Sequence, residues 1–406
     1  MHKPLQGVKM IEVAQFTFTP SAGAVLSEWG ADVIKVEHAV TGDAQRGMVG
    51  HAEAGSFKPI MDHPNRGKRS VGLALEKPEA YELLLELVKD ADVFLTNFLP
   101  EARKRLGLDV DDIRKANPKI IYVRGSAHGQ RGPWAEKGGY DGSSFWCRMG
   151  SAWGVTPKDS ERLITMPAGA YGDSMGGMTI AGGIAAALFG RAQTGEPSVV
   201  DVSLMSVGSW AFALDLGNAA VNGPDVEPVS INEMMINMPK NPAVGNFRTS
   251  DGKWINFTMI QPFRYFADVC RHLDLEELID DERFDTAEHL MANAPAAGEY
   301  MAEKIAQNTF AHWCEHLVTM EGPWAPVQDP NDILRDPQME ANGYIRDLVD
   351  ADGVTRQLIA NPVQFDETPP ETKRGPLFAE HTDDVIRELG KSDEELIELK
   401  IAGAIT

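Results

Sequence analysis

The feature that most narrows the fold is an alternation, over the first 125 residues, of short β-branched apolar runs with segments of helical periodicity. Val8–Val13 (VKMIEV), Val33–Glu37 (VIKVE), Ser70–Leu75 (SVGLAL), Val93–Asn97 (VFLTN) and Ile120–Arg124 (IIYVR) read as strands. Between them, Ser21–Trp29 reads as a helix closed by Gly30, and a further helix runs through Arg105. Pro78–Lys89 (PEAYELLLELVK) sets Pro at a helix start with leucines at helical spacing. Strand–helix–strand repeats of this kind bury both faces of a mostly parallel sheet, so we expect a doubly wound α/β domain.

Beyond this region the glycine-rich stretch Gly125–Tyr171 reads as loops, and Gly172–Gly190 as a long helix of small residues able to approach a neighbour closely. Val199–Ser203 is a strand followed by an apolar helix to about Ala220, and the proline-rich Asn222–Phe247 reads as a crossing linker. Asp251-Gly252, between FRTS and KWINFTMI, is a hairpin signal opening a run of amphipathic helices. Asp329–Asn342 reads as an acidic helix, and the last helices (HTDDVIRELG, DEELIELKIAG) as a return to the first domain. The expected division is 1–221, 222–328 and 329–406, in keeping with two or three domains for 406 residues.

Charge narrows the partners. The net charge is −22, yet residues 1–140 hold 19 Lys+Arg against 18 Asp+Glu, so the acidity belongs to the remainder. An acidic surface disfavours nucleic acid and anionic membranes. The near-neutral first third is the place to receive a small anionic ligand. Cys147, Cys270 and Cys314 are widely separated and match no disulfide or zinc spacing. His312 and His316 stand at i, i+4 without a placed acidic third ligand, so no metal is expected. The start lacks a signal-peptide pattern and Met175–Leu188 is too short to span a bilayer; the expectation is a cytoplasmic chain.

Several phosphate and hydrolase signatures fail. No two glycines are separated by a single residue, so G-x-G-x-x-G cannot occur. Positions 62 and 385 are Asp and Val where a P-loop needs glycine. Gly172-Asp173-Ser174-Met175-Gly176 satisfies G-x-S-x-G, but the preceding PAGAY is poor material for the strand that motif requires. The same pentapeptide offers Asp173, either as a helix N-cap or as a reactive carboxylate. Asn65-Arg66-Gly67-Lys68-Arg69-Ser70 and Arg103-Lys104-Arg105 are either solvated basic surface or anion-docking loops.

In order along the chain, LQGV at 5–8, GADVIKVE at 30–37, NRGKRS, Ala91-Asp92-Val93…Asn97-Phe98, Gly129-Gln130-Arg131-Gly132-Pro133, Gly172-Asp173-Ser174 and Glu380-His381-Thr382-Asp383 resemble the family III CoA-transferases, the formyl-CoA transferase/carnitine CoA-transferase family. The resemblance spans nearly the whole chain. It implies a Rossmann-like large domain built from both chain ends, a smaller α+β domain, and an interlocked homodimer. It implies Asp173 as the catalytic nucleophile, acting on an acyl-CoA and a carboxylic acid through aspartyl mixed-anhydride and aspartyl-CoA thioester intermediates. Coenzyme A is then a substrate, and no permanently bound cofactor is expected. The implied CoA contacts are Phe16, Thr17, Lys35, His38, Arg69, Asn97, Phe98, Arg105 and Tyr140, with an oxyanion-binding amide near Phe16-Thr17.

Two departures stand out. His38 occupies a place where some relatives carry arginine, and the glycine-rich loop that covers the intermediate in formyl-CoA transferases has no counterpart, leaving Ile260-Gln261-Pro262 as the expected cover. The family also holds 2-methylacyl-CoA racemases, whose histidine and supporting Glu align with Tyr140 and Gln261; a phenol with pKa near 10 is a poor substitute base, which favours transfer. A serine esterase using Ser174 and a CoA-binding dimer without turnover are the remaining alternatives. Phe145, Trp146, Trp153 and Met234–Met238 are the expected lining of a pocket for an apolar or bulky acid.

Overall fold

The computed structural model describes residues 3–48, 55–231, 233 and 241–406. Contacts divide the chain into two units, Met1–Pro228 with Pro337–Thr406, and Val229–Asp336. The boundaries expected from sequence, after 221 and 328, fall short of these by seven and eight residues.

The larger unit is organised by β1 (Lys9–Val13), β2 (Asp32–Glu37), β3 (Arg69–Gly72), β4 (Val93–Thr96), β5 (Ile121–Ser126) and β6 (Val199–Ser203). They form one sheet in the order β3-β2-β1-β4-β5-β6, and every neighbouring pair is parallel. This is the strand order of a doubly wound dinucleotide-type fold, with its reversal between β1 and β4. The strands read as apolar runs because both faces are buried. Met10, Val33, Val93, Leu95 and Val123 face one core; Ile11, Ile34, Phe94 and Tyr122 face the other.

Helices α1 (Phe18–Glu28), α2 (Pro59–Asn65), α3 (Pro78–Lys89), α4 (Pro100–Leu106), α5 (Val110–Ala116), α6 (Ser151–Val155), α7 (Tyr171–Thr194), α8 (Leu204–Ala211) and α9 (Ala213–Asn222) complete this part of the unit. The glycines of α7 let it lie directly on its neighbours. A Cβ on Gly172 would stand 2.6 Å from Phe145, one on Gly176 2.2 Å from Phe18, and one on Gly177 2.4 Å from Ser21. Gly176→Ala should therefore force Phe18 aside, lowering stability by ~1–3 kcal/mol, readable as a fall in denaturation midpoint.

The chain's end returns to the sheet edge. Gly72 N–H donates to Thr382 Oγ1 (3.0 Å), Leu73 bridges Ile405, and the helix Thr382–Glu388 supplies the partner of Arg69 described below. Also in this unit is a hairpin of β10 (Ile345–Val349) and β11 (Thr355–Ile359). In the smaller unit β7 (Val244–Arg248), β8 (Trp254–Thr258) and β9 (Trp324–Pro326) make an antiparallel sheet over a core containing Phe257, Val269, Cys270 and Trp313. Asp251-Gly252 makes the β7–β8 turn, with Gly252 at φ +81°.

Two local expectations are corrected. Asp329–Asn342 is two short turns, Pro330–Ile333 and Pro337–Ala341, because Pro337 cannot continue the first. The supposed loop stretch Gly125–Tyr171 holds the wide helical turn Asp141–Cys147 as well as α6.

Candidate active site

Loops at the carboxyl ends of β1, β4 and β5 converge at the switch point of the sheet, where open α/β folds place their ligands. They bound a solvent-open cleft of about 590 Å³ lined by Phe16, Phe18, Asn97, Phe98, Arg103, Gln130, Lys137, Tyr140 and Asp173, among others. Asp173 enters from the first turn of α7. It does not cap this helix: Ala170 is the N-cap, in the left-handed region at φ 59°, and no side chain caps it.

Burial raises the Asp173 carboxyl to about 7, and the charge of Asp141 adds to the shift. Asp141 is itself buried. Its Oδ1 accepts from the Gly142 amide at 2.8 Å, while its Oδ2 has no hydrogen-bond partner among the described residues. Two neighbouring carboxylates in poorly hydrated surroundings thus hold the nucleophile candidate close to neutral-pH titration.

The loop between β1 and α1 is pinned at almost every polar atom. Ala14 O accepts from Lys35 Nζ (2.8 Å), Gln15 exchanges backbone bonds with the Asn97 amide (3.0 and 2.7 Å), and Phe16 N–H donates to Asp43 Oδ1 (3.1 Å). Thr17 Oγ1 donates to Gln45 Oε1 (2.9 Å), and the Thr17 N–H has no hydrogen-bond partner among the described residues. Phe16 sits at φ 65°, a conformation rare for an aromatic residue, and its ring meets Tyr140 edge-on at 5.5 Å.

The structure sorts the residues singled out from sequence. Phe16, Asn97, Phe98, Tyr140 and Asp173 line one cleft, whereas Thr17 is buried and is not among its lining residues. Lys35 does not reach it. Its side chain is fully buried, with Nζ 2.9 Å from Asp43 and 3.3 Å from Glu12, and Lys68 completes the cluster at 2.8 Å from Glu12. Burial opposes the Lys35 charge, yet Asp43, Glu12 and Glu37 outweigh it and raise the pKa; Lys68, with less compensation, is pushed down to about 7.

Arg69 is likewise occupied. It grips Asp32 in a bidentate pair (3.0 and 2.6 Å) and Glu388 with its remaining nitrogen (2.7 Å). His38 lies outside the lining, accepting at Nδ1 from the Val40 and Thr41 amides, with Nε2 3.2 Å from Glu76. Arg105 is exposed and is not among the residues that line the cleft. Phe145 and Trp146 belong to the core, Trp153 is exposed, and Met234–Met238 lie outside the described residues.

Sequence reasoning named Arg103 only within the basic run Arg103-Lys104-Arg105, took Arg105 as the CoA contact, and passed over Lys137. Residues 103 and 105 stand about 200° apart around α4, so only one can face the cleft. Arg103 does, held by Asp109 (2.9 Å), Phe98 O (2.9 Å) and Gln130 (3.1 Å). Lys137 and Arg148 flank the Trp134 ring at 4.4 and 4.1 Å. The signal for Arg103 was the helical phase set by Pro100. Nothing local marks Lys137.

A parallel sheet of this order, with a raised-pKa carboxylate and two cations among the residues lining its switch-point cleft, is an arrangement suited to an anionic substrate. The chain belongs to CoA-transferase family III, whose family model matches residues 5–382. It is 28% identical to the (R)-2-hydroxy-4-methylpentanoate CoA-transferase of Clostridioides difficile, over 98% of each chain. It is 30% identical to the succinate–glutarate CoA-transferase of Agrobacterium fabrum, over 95% of this chain and 96% of the other. A crystal structure of a CAIB/BAIF family protein from Brucella suis superposes with a TM-score of 0.80 at 27% identity, covering 96% of this chain and all of that one. The protein is a CoA-transferase, and CoA thioesters are its substrates.

Proposed function

We propose that Asp173 carries CoA from the donor acid to the acceptor acid. A carboxylate oxygen of Asp173 attacks the thioester carbonyl, the C–S bond breaks, and CoA leaves as thiolate, giving a mixed anhydride. The thiolate then attacks the Asp173 acyl carbon and releases the donor acid, leaving an aspartyl-CoA thioester. The acceptor carboxylate attacks that thioester; the expelled thiolate takes the acceptor acyl group and restores Asp173. No net proton is exchanged, and one difficult step becomes several easier ones.

The observation that carries this reading is the position of Asp173 in one cleft with Phe16, Asn97, Phe98, Arg103 and Tyr140, a cleft bounded by the loop that carries the Thr17 amide. That amide, with the first turn of α1 behind it, suits stabilisation of the tetrahedral oxyanions. The CoA arm enters along Asn97, Phe98 and Tyr140, with Arg103 and Lys137 as the cations nearest its phosphates. The test is chemical. After incubation with acetyl-CoA, hydroxylamine should convert Asp173 to a hydroxamate detectable by peptide mass, and an unmodified Asp173 would refute the role.

Attack requires the carboxylate, so kcat/KM should fall as pH drops through about 7, the value to which burial and Asp141 raise Asp173. Asp141→Asn removes the like charge and should move that limb to lower pH. A limb at the ordinary carboxylate range in the unmodified enzyme would contradict this assignment.

The serine alternative is weakened on structural grounds. His63 Nε2 lies 3.1 Å from Ser174 Oγ, but no described carboxylate orients His63, and no strand precedes Gly172. A homodimer suits the exposed apolar residues on α8 and α9: Trp210, Leu214 and Val221 are each more than 80% exposed. Sedimentation should give a mass near twice 44.4 kDa.

A further inference from the structure

A second cavity adjoins the first turn of α7. It has about 770 Å³ of open space, lined by Val25, Met175, Met178, Ala360 and Pro362, with Ser21, His63, Arg66, Ser174 and Asn361 as its polar members. Ser174 directly follows the nucleophile and, with Met178 four residues on, shares one face of the helix.

The polar members are already spoken for. Ser21 Oγ donates to Thr17 O (2.7 Å), Asn361 Nδ2 donates to Glu28 (2.8 Å), and Ser174 pairs with His63. The buried Arg66 guanidinium stands 3.1 Å from Glu28 and donates to Ile359 O at 2.7 Å. Burial, aided by Arg66, pushes His63 down to about 4, so it is neutral at physiological pH. A second carboxylate entering here would find no unpaired cation among the described lining residues, whereas a hydrocarbon chain would find methionines that adapt to its shape.

We propose that this cavity holds the tail of the acyl group on Asp173, and that the acids this enzyme serves are monocarboxylates with neutral, apolar tails rather than dicarboxylates. The inference rests on Asp173 being the acylated residue. With the CoA arm in the cleft beside Phe98 and Tyr140, an acyl tail must leave Asp173 in another direction, and this cavity borders the next residue of the same helical turn.

The test is acyl exchange from acetyl-CoA into acetate, butyrate, hexanoate, succinate and glutarate, scored as kcat/KM. The unmodified enzyme should gain about 4-fold per methylene from acetate to hexanoate, the equivalent of ~0.8 kcal/mol per buried CH₂. Hexanoate should exceed glutarate. Met178→Trp and, separately, Met175→Trp should lower the hexanoate-to-acetate ratio, while Met178→Ala should move the optimum to longer tails. A flat series, glutarate ahead of hexanoate, or ratios unmoved in all three folded variants would overturn the assignment. Hydroxylamine trapping with acetyl-CoA is run alongside. Trapping without chain-length dependence sinks the cavity alone, whereas failure to trap sinks the nucleophile and the cavity with it.

Discussion

Asp173→Asn should abolish CoA transfer, with exchange falling by about 10⁴-fold or more, the scale seen when a covalent nucleophile is removed. The same substitution should make the protein more stable at pH 8. Burial and Asp141 raise the folded-state carboxyl from 3.8 to about 7. The folded protein therefore holds a proton that the unfolded chain releases, and stability declines as pH rises from about 4 through 7. Above that window the penalty is complete, and the neutral amide removes it, an upper bound of about 4 kcal/mol. A protein that loses activity while its denaturation midpoint rises carries a strained catalytic group. Substantial residual exchange in Asp173→Asn, with no gain in midpoint at pH 8, would reject both halves of the argument.

Lys35→Met should fail in stability, not in substrate affinity. The family resemblance makes Lys35 a CoA contact, but the structure places its ammonium between Asp43 and Glu12, fully buried. Removing the cation leaves two buried carboxylates sharing Lys68, a loss of ~3–5 kcal/mol, or a midpoint lower by roughly 10 °C. Asp43 also holds the Phe16 amide, so the loop presenting Thr17 N–H should loosen and kcat should fall in the fraction still folded. The KM for acyl-CoA in that fraction should stay near its original value. A raised KM at unchanged stability would return Lys35 to the ligand.

Much of the architecture was legible because it follows from local rules. Pro78–Lys89 and Val199–Ser203 occur at the expected residues, since a proline N-terminus with leucine spacing and a β-branched run each have one favourable backbone. The 329–342 segment misled because its acidic periodicity was counted across Pro337.

Sequence alone determined the α/β class, the family, and the five-residue stretch that holds the proposed nucleophile, because period, turn chemistry and motif order are properties of neighbouring residues. Tertiary structure decided which cations remain for a substrate. Arg69 is neutralised by Asp32 and by Glu388, 319 residues away, and Lys35 by Asp43 and Glu12, none of them at the cleft, whereas Arg103 lines the cleft while paired with Asp109, and Arg105 of the same helix does not line it. Whether a cation borders the cleft or is used up elsewhere in the fold is fixed by packing between segments remote in the chain. The pairing of His63 with Ser174, and the apolar cavity beside it, likewise arise only where α2, α7 and the 360–362 segment meet.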